Sequence, residues 1–436
     1  MSFHLFGSDE CKHIPGFKED TASKDYVLYQ PDYVFIPAQD GRGNPLNNMV
    51  SAGAEVKVGT LLGTRAPDNF PIYSSVSGVV KEIKMVLTAS GREQNCFVIE
   101  NNKKNEEEIR PVLKDVDSVT VDEIIIAIKT SGVIGFGGAG FPTYRKFNSG
   151  KPVDVLIVNA IECEPFLTTD YVYGASEASY LFKALPYLLK ATGASKVVFC
   201  TKEDKPALIK ACEDQMSVYP NLPVELVCTK DKYPMGYERN LVTLVTHKQY
   251  GMIPIEAGAI VDNIYTFISL GKFFTEGKIP SKRCITVAGE VNKPLNILTP
   301  YGAMASDLIA FASGVKDSEA EYKIVNGGPM NGNTLPSSSY ATLHQTNGIV
   351  VMKPNHYRAE PCWHCGNCCD NCPMDLQPVQ INMALKRNDL ARLKELHAEK
   401  CCGCGLCSYI CPSRIEVSQN VMKAKAIVLQ ALREGK

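Results

Sequence analysis

The sequence predicts a multidomain α/β protein that ends in a small, cysteine-rich helical unit. Three observations carry that expectation. A length of 436 residues with 45% hydrophobic content supports several sizeable cores, roughly three or four domains at about 100–200 residues each. Two stretches of different periodicity follow one another: short glycine-punctuated runs up to about residue 100, then longer helix and strand patterns. Finally, ten of the 17 cysteines fall between Cys362 and Cys411, while the other seven are scattered singly.

The first block runs from about Tyr33 to Glu100. Val34–Pro37, Val50–Gly53, Val56–Gly63 and Ser77–Ile83 alternate as half-buried strands do, and the glycines between them allow tight turns. The rhythm resembles a biotinyl/lipoyl-type barrel-sandwich. Such domains carry a modified lysine on a hairpin, but no lysine stands between Gly63 and Gly78, so the barrel is expected to be a scaffold. The charged segment Asn101–Glu108 reads as a solvated loop or linker.

The second block, about Val116 to Asn263, contains Gly135-Phe136-Gly137-Gly138-Ala139-Gly140-Phe141-Pro142-Thr143. Its glycines match G-x-G-x-x-G, yet that fingerprint should follow a strand. Here Thr120 and Glu123 form a capping-box pattern and Ile124–Lys129 continues as helix. The strand comes afterwards, at Val153–Val158, and ends in Asn159-Ala160-Ile161-Glu162-Cys163-Glu164-Pro165. The expectation is a glycine-lined loop whose backbone N–H groups approach a phosphate, beside a strand end that carries carboxylates. On its own, the glycine run equally fits a tight turn.

Near the C-terminus the spacing C-x2-C-x2-C-x3-C-P occurs twice, at Cys362, Cys365, Cys368, Cys372 and at Cys401, Cys404, Cys407, Cys411. This is the ligand run of two-cluster bacterial ferredoxins, in which the fourth cysteine of each run serves the other cluster. One 4Fe–4S cluster would take Cys362, Cys365, Cys368 and Cys411; the second would take Cys401, Cys404, Cys407 and Cys372. Paired zinc ribbons or disulfides are the plainer readings, but zinc knuckles lack the third cysteine and the C-P ending. Cys369 and Cys402 fall off register and are expected to pack beside the clusters. His364 is expected to lie near the first cluster without ligating it.

A formal net charge of −1 and a pI near 6.7 give no reason to expect nucleic acid or an anionic membrane surface as a partner. The cysteine pattern fits a reducing compartment. Met1–Leu5 lacks the basic start of a signal peptide, and no stretch approaches about 18 uninterrupted apolar residues. A cytoplasmic, soluble or peripheral protein is expected.

G-F-G-G-A-G-F-P-T followed by N-A-I-E-C-E-P resembles the flavin- and NADH-binding core of the 51-kDa-type subunit of respiratory NADH dehydrogenases. With the barrel in front and the double cysteine run behind, the whole chain resembles the RnfC family, the NADH-binding flavin/iron–sulfur subunits of Rnf ion-translocating ferredoxin:NAD oxidoreductase complexes. Val287–Glu290 and Val325–Met330 are similar to that family's β-grasp (SLBB) domain. The resemblance implies four units: a barrel-sandwich over 1–115, a Rossmann-like flavin/NADH domain over 116–265, an SLBB β-grasp domain over 266–352 and a ferredoxin-like helical domain over 353–436.

It also implies cofactors and roles. Gly135, Gly137, Gly138, Gly140 and Lys146 would surround the phosphate of FMN; Asn159, Glu238, Asp262, Asn263 and Thr266 would line the rest of the flavin pocket. Asp262 stands where the family usually has asparagine, and Ile161 replaces an acid of the 51-kDa pattern. Glu162, Glu164 and Phe141 would position the nicotinamide of NAD(H), with no protein acid or base required. NADH yields two electrons together while each iron–sulfur cluster takes one, so a flavin belongs between them. Implied partners are membrane-embedded Rnf subunits and a ferredoxin-like iron–sulfur subunit, with this chain peripheral on the cytoplasmic side of the cell membrane. A corrinoid reductase of the propanediol-utilisation type and an NADH-linked module of a hydrogenase or formate dehydrogenase share parts of the pattern. A ferredoxin-like adaptor with a decayed flavin pocket is the non-enzymatic alternative.

Overall fold

Residues 14–138 and 140–435 are described in the computed structural model. The expectation about Met1–Leu5, and Ala139 of the glycine loop, therefore lie outside the described residues.

Alternating residues of the first block build an antiparallel sheet in the spatial order Tyr33–Pro37, Glu93–Asn101, Gly78–Leu87, Glu55–Val56. A hairpin of Leu61–Arg65 and Phe70–Tyr73 shares its core of Val34, Ile36, Leu62, Ile72, Val80, Phe97 and Ile99. Two expected strands differ. Val50–Gly53 is a turn closed by Ala54 N–H donating to the Ser51 carbonyl at 3.2 Å. The Val56–Gly63 run is split at Gly59, whose φ of +89° turns the chain out of the strand. Asn101, expected in a loop, ends a strand and is buried, with its Nδ2 donating to the Pro31 carbonyl at 2.8 Å.

Thr120 and Glu123 exchange the two hydrogen bonds of a capping box and start helix Val121–Thr130. The following parallel sheet has the spatial order Val224–Thr229, Lys196–Lys202, Val155–Asn159, Ala259–Asn263. Its first strand in the chain, Val155–Asn159, is flanked on both sides, so Leu156, Ile157 and Val158 are wholly buried and read as an unbroken apolar run. The chain order reverses beside that strand. Crevices at the carboxyl ends of strands at such a reversal are where open α/β sheets take ligands.

A mixed six-stranded sheet follows, ordered Val27–Leu28, Leu295–Pro300, Lys282–Gly289, Gly348–Met352, Lys323–Asn326, Asn333–Leu335. Its apolar face buries Ile285, Val287, Ile297 and Val351 against Leu308 and Ile309 of helix Ala305–Phe311. Because Val27–Leu28 pairs here, the segment before the barrel crosses to this sheet. The C-terminal part is helical, with Pro378–Lys386 and Val417–Arg433 packing around Leu376, Ile381, Leu393, Val421 and Val428. Among the described residues no helix is long and apolar enough to cross a membrane.

Candidate functional site

The glycine loop is pinched at its base. Gly135 N–H donates to the Phe141 carbonyl at 2.8 Å and Thr143 N–H to the Val133 carbonyl at 3.1 Å, which closes the base of the loop. Phe136 N–H is anchored on Thr266 Oγ1 at 3.2 Å. Gly137 has a φ of +70°, and the position a Cβ would take there meets Asn263 Nδ2, Asn347 Nδ2 and Arg283 Nη2 at 3.7, 3.9 and 4.0 Å. At Gly138 the same test finds only the Gly135 carbonyl, at 3.9 Å, so that side of the loop is open. A Cβ on Gly140 would collide with the Gln345 side chain. Phe141 is 46% exposed beside the loop.

Asn159 and Asn263 stand opposite each other at the ends of adjacent parallel strands. Asn159 Nδ2 donates to the Gly236 carbonyl at 2.9 Å, drawing the Tyr233–Glu238 segment across the strand end. Asn263 caps helix Ile264–Glu276 through its Oδ1, and its Nδ2 donates to Asp170 at 2.6 Å. Next to it, Asp262 is held by Lys146, whose ammonium also donates to the Val261 carbonyl, both at 2.7 Å. Glu238 lies nearby; burial raises its pKa against the opposing charge of Lys146. Burial likewise raises Asp262, again opposed by Lys146.

The two carboxylates of the strand-end loop face different neighbours. Glu162 accepts from Thr169 Oγ1 at 3.0 Å and Asp170 N–H at 3.2 Å, while its backbone carbonyl accepts from Lys18 at 2.7 Å. Glu164 accepts from Met330 N–H at 3.1 Å and lies 3.2 Å from the Tyr233 hydroxyl. Burial pushes Glu164 up to about 7, partly offset by those two donors. Burial and the Glu162 charge push Asp170 up to about 6.

Several buried polar atoms around this loop have no hydrogen-bond partner: Thr143 Oγ1, Glu162 Oε2, Asp170 Oδ1, Asp262 Oδ2 and both terminal nitrogens of Arg283. Native proteins pair nearly all such atoms. Their concentration at one sheet edge, with donors and acceptors both left over, fits a phosphorylated, polar ligand such as FMN. Reasoning from the sequence does not find Arg283, Asn347, Asp170 or Lys18. The available signal is Arg283 itself, a charge inside the buried strand Lys282–Gly289.

The cysteines line two separate cavities. Cys372, Cys401, Cys404 and Cys407 face one, with Cys402 beside them. Cys362, Cys365, Cys368 and Cys411 face the other, with His364 on its wall. Each cavity thus mixes both runs, as crosswise ligation requires. Among the described residues no three His, Cys, Asp or Glu side chains converge closely enough for a single ion. Sulfurs spread round a cage suit a four-iron cubane better than one tetrahedral zinc, which wants each about 2.3 Å away.

The first of these cavities abuts the loop carboxylates. Tyr233 donates its hydroxyl to the Cys404 carbonyl at 2.5 Å and lies against Glu164, and Tyr233 packs with Leu406 and Ile14. The other cavity lies toward solvent, beside exposed Cys362, Cys365 and Trp363.

Comparisons with known proteins agree with this anatomy. Residues 128–272 match the Nuo51 FMN-binding domain and residues 11–104 the RnfC barrel sandwich hybrid domain. The C subunit of the proton-translocating ferredoxin:NAD(+) oxidoreductase complex of Clostridium ljungdahlii is 31% identical over 394 residues, 88% of this chain and 85% of that one. The counterpart from the Na(+)-translocating complex of Acetobacterium woodii is 30% identical over 392 residues, 86% of each chain. The C subunit of the ion-translocating oxidoreductase complex of Vibrio cholerae is 29% identical over 383 residues, but this chain spans only 48% of its length. An NAD+-reducing [NiFe]-hydrogenase in the air-oxidized state shares the fold, with a TM-score of 0.50 and 19% identity over 74% of this chain and 66% of that one. By sequence and domain content, the chain belongs to the RnfC family, the C subunits of ion-translocating ferredoxin:NAD(+) oxidoreductase complexes.

Proposed function

We propose that this chain is the NAD(H)-exchanging subunit of an ion-translocating ferredoxin:NAD oxidoreductase, using FMN and two 4Fe–4S clusters. The observation that carries the reading is Tyr233, which joins the carboxylate loop to the second cysteine run through Glu164 and the Cys404 carbonyl. A two-electron site and a one-electron site have to lie close together, and this side chain touches a residue proposed for each. FMN, when bound, takes two electrons together from NADH and releases them singly, while each cluster accepts one.

The chain's own residues orient and hold. Gly137, Gly138 and Gly140 would present backbone N–H groups to the phosphate, Gly135 would close the base of the loop on the Phe141 carbonyl, and Lys146 holds Asp262 beside it. Asn159, Glu238, Asp262, Asn263 and Thr266 would line the flavin pocket, and Glu162, Glu164 and Phe141 would position the nicotinamide. None needs to move a proton during hydride transfer. Cys362, Cys365, Cys368 and Cys411 would hold one cluster; Cys401, Cys404, Cys407 and Cys372 would hold the other. The divisions after residues 115 and 352 fall between the elements of the fold, whereas the one after 265 falls inside helix Ile264–Glu276, whose Phe267, Leu270 and Phe274 pack in the core of the parallel-sheet domain.

Partners would be membrane-embedded Rnf subunits and a ferredoxin-like iron–sulfur subunit, with this chain on the cytoplasmic face. In cells lacking those subunits it should leave the membrane fraction; retention there would refute peripheral attachment through partners. The electron order is tested by Cys401→Ser in anaerobically purified protein. NADH should still bleach the flavin and reduce ferricyanide, while transfer to the protein partner collapses. Loss of flavin bleaching with fold and flavin content intact would overturn the order NADH, flavin, clusters, partner.

A further inference from the structure

Arg283 is 1% exposed, and its guanidinium is stacked 4.1 Å from the Tyr265 ring centre and 5.6 Å from that of Phe136. Its Nε donates to the Thr346 carbonyl at 3.2 Å, but Nη1 and Nη2 have no partner. A buried charge left this way is costly unless an anion meets it. The neighbouring carboxylates do not. Asp170 gives Oδ2 to Asn263 and leaves Oδ1 unpaired, and Glu162 gives Oε1 to Thr169 and Asp170 N–H and leaves Oε2 unpaired. Cation and carboxylates thus each keep an unpaired atom and make no hydrogen bond to each other, although the Arg283 charge reaches Asp170.

The unpaired face of Arg283 points toward Gly137, where Asn347 Nδ2 and Asn263 Nδ2 also converge. The 13-residue helix Ile264–Glu276 begins at the same place, its Tyr265 amide capped by Asn263 Oδ1, and adds the positive end of its dipole. Lys146, the other cation near the flavin pocket, is already committed to Asp262 and the Val261 carbonyl. We propose that Arg283, reaching over from the six-stranded sheet with Asn347 beside it, is the cationic receptor for the phosphate of the flavin at Gly137. This rests on the flavin reading of the site and deepens it. A guanidinium fork matches two phosphate oxygens at once, which a lysine cannot do. It also makes flavin retention depend on how the six-stranded sheet docks, because the arginine comes from that sheet and the glycine loop from the segment between helices Val121–Thr130 and Tyr144–Phe147.

The test compares FMN with riboflavin, which lacks only the phosphate. Flavin-stripped, cluster-loaded full-length protein is titrated with each by equilibrium dialysis under anaerobic conditions. Arg283→Met should weaken FMN binding by about tenfold to a hundredfold and leave riboflavin binding within about twofold, since the lost contact is a charge-assisted pair. Arg283→Lys should recover part of the FMN affinity. Asn347→Leu, which removes a neutral donor, should weaken FMN alone by about threefold to tenfold and serves if Arg283→Met does not fold. Unchanged FMN affinity in the folded arginine variant, or in Asn347→Leu where only that one folds, overturns the proposal. So does equal loss of both flavins, or weakened NADH binding with FMN unaffected, which would give the arginine to the dinucleotide. If the unmutated protein binds neither flavin, the flavin reading itself falls and this proposal with it.

Discussion

Lys146 and Asp262 form an ion pair at 2.7 Å in which the carboxylate is the buried member: its side chain is 2% exposed and that of the lysine 24%. The two single substitutions should therefore be unequal. Lys146→Met strands a carboxylate away from water and should cost about 3 kcal/mol, whereas Asp262→Asn leaves a lysine that can bend toward solvent and should cost about 1 kcal/mol. Denaturant unfolding of the two variants checks the order; equal costs would mean that the pair contributes no more than surface charges do.

Gly138→Val should cost the flavin and not the fold. A Cβ at Gly138 is within 4 Å of the Gly135 carbonyl alone, at 3.9 Å, so the branched side chain fills the place where a ligand would approach the loop. Purified protein should show iron–sulfur absorbance without flavin bands. Gly140→Val, by contrast, meets Gln345 at a φ of +69° and should lower stability, by about 1–3 kcal/mol for strain and overpacking. Full flavin occupancy in Gly138→Val would mean that the loop is only a turn.

Glu164 should make NADH binding depend on pH. Burial raises its folded-state pKa from 4.5 to about 7, so the protonated form is favoured in the fold. The associated stability is complete below about 4.5 and declines as pH rises through about 7. Lys18, Tyr233 and Cys163 are the titratable groups around it. As the proposed acceptor for the nicotinamide nucleotide, the carboxylate should bind more tightly at pH 8 than at pH 6. Glu164→Gln should flatten that profile; an unchanged profile in this variant would assign the dependence to another group.

Tyr233→Phe removes the hydroxyl that lies between Glu164 and the Cys404 carbonyl, leaving that carbonyl without its donor while Glu164 keeps the Met330 N–H, at a cost of about 1–3 kcal/mol. NADH-dependent reduction of ferricyanide should persist while reduction of the cysteine-bound clusters slows in stopped-flow traces. Equal slowing of both would place Tyr233 in the nucleotide pocket alone.

Local chemistry is legible in the sequence wherever the ligands or caps are neighbours along the chain. The capping box at Thr120 and Glu123, the loop before strand Val155–Asn159 and the two cysteine runs are set by spacing alone. The turn at Val50–Gly53 reads as a strand from its place in the glycine-punctuated run, because that rhythm carries no record of the Ser51–Ala54 hydrogen bond that bends the chain.

The double cysteine run, the glycine run and their order along the chain are written in the residues alone, since each is a short-range pattern. Which groups meet is settled only by the folded chain. Arg283 lies more than a hundred residues from the glycine loop in sequence, yet its Nη2 comes within 4.0 Å of where a Gly137 Cβ would stand. Tyr233 reaches Cys404 across 171 residues. Cys411 shares a cavity with Cys362 rather than with its own run. Such encounters follow from how the sheets and the helical tail dock. Docking depends on the burial of apolar faces summed over many residues, so no single spacing in the chain encodes it.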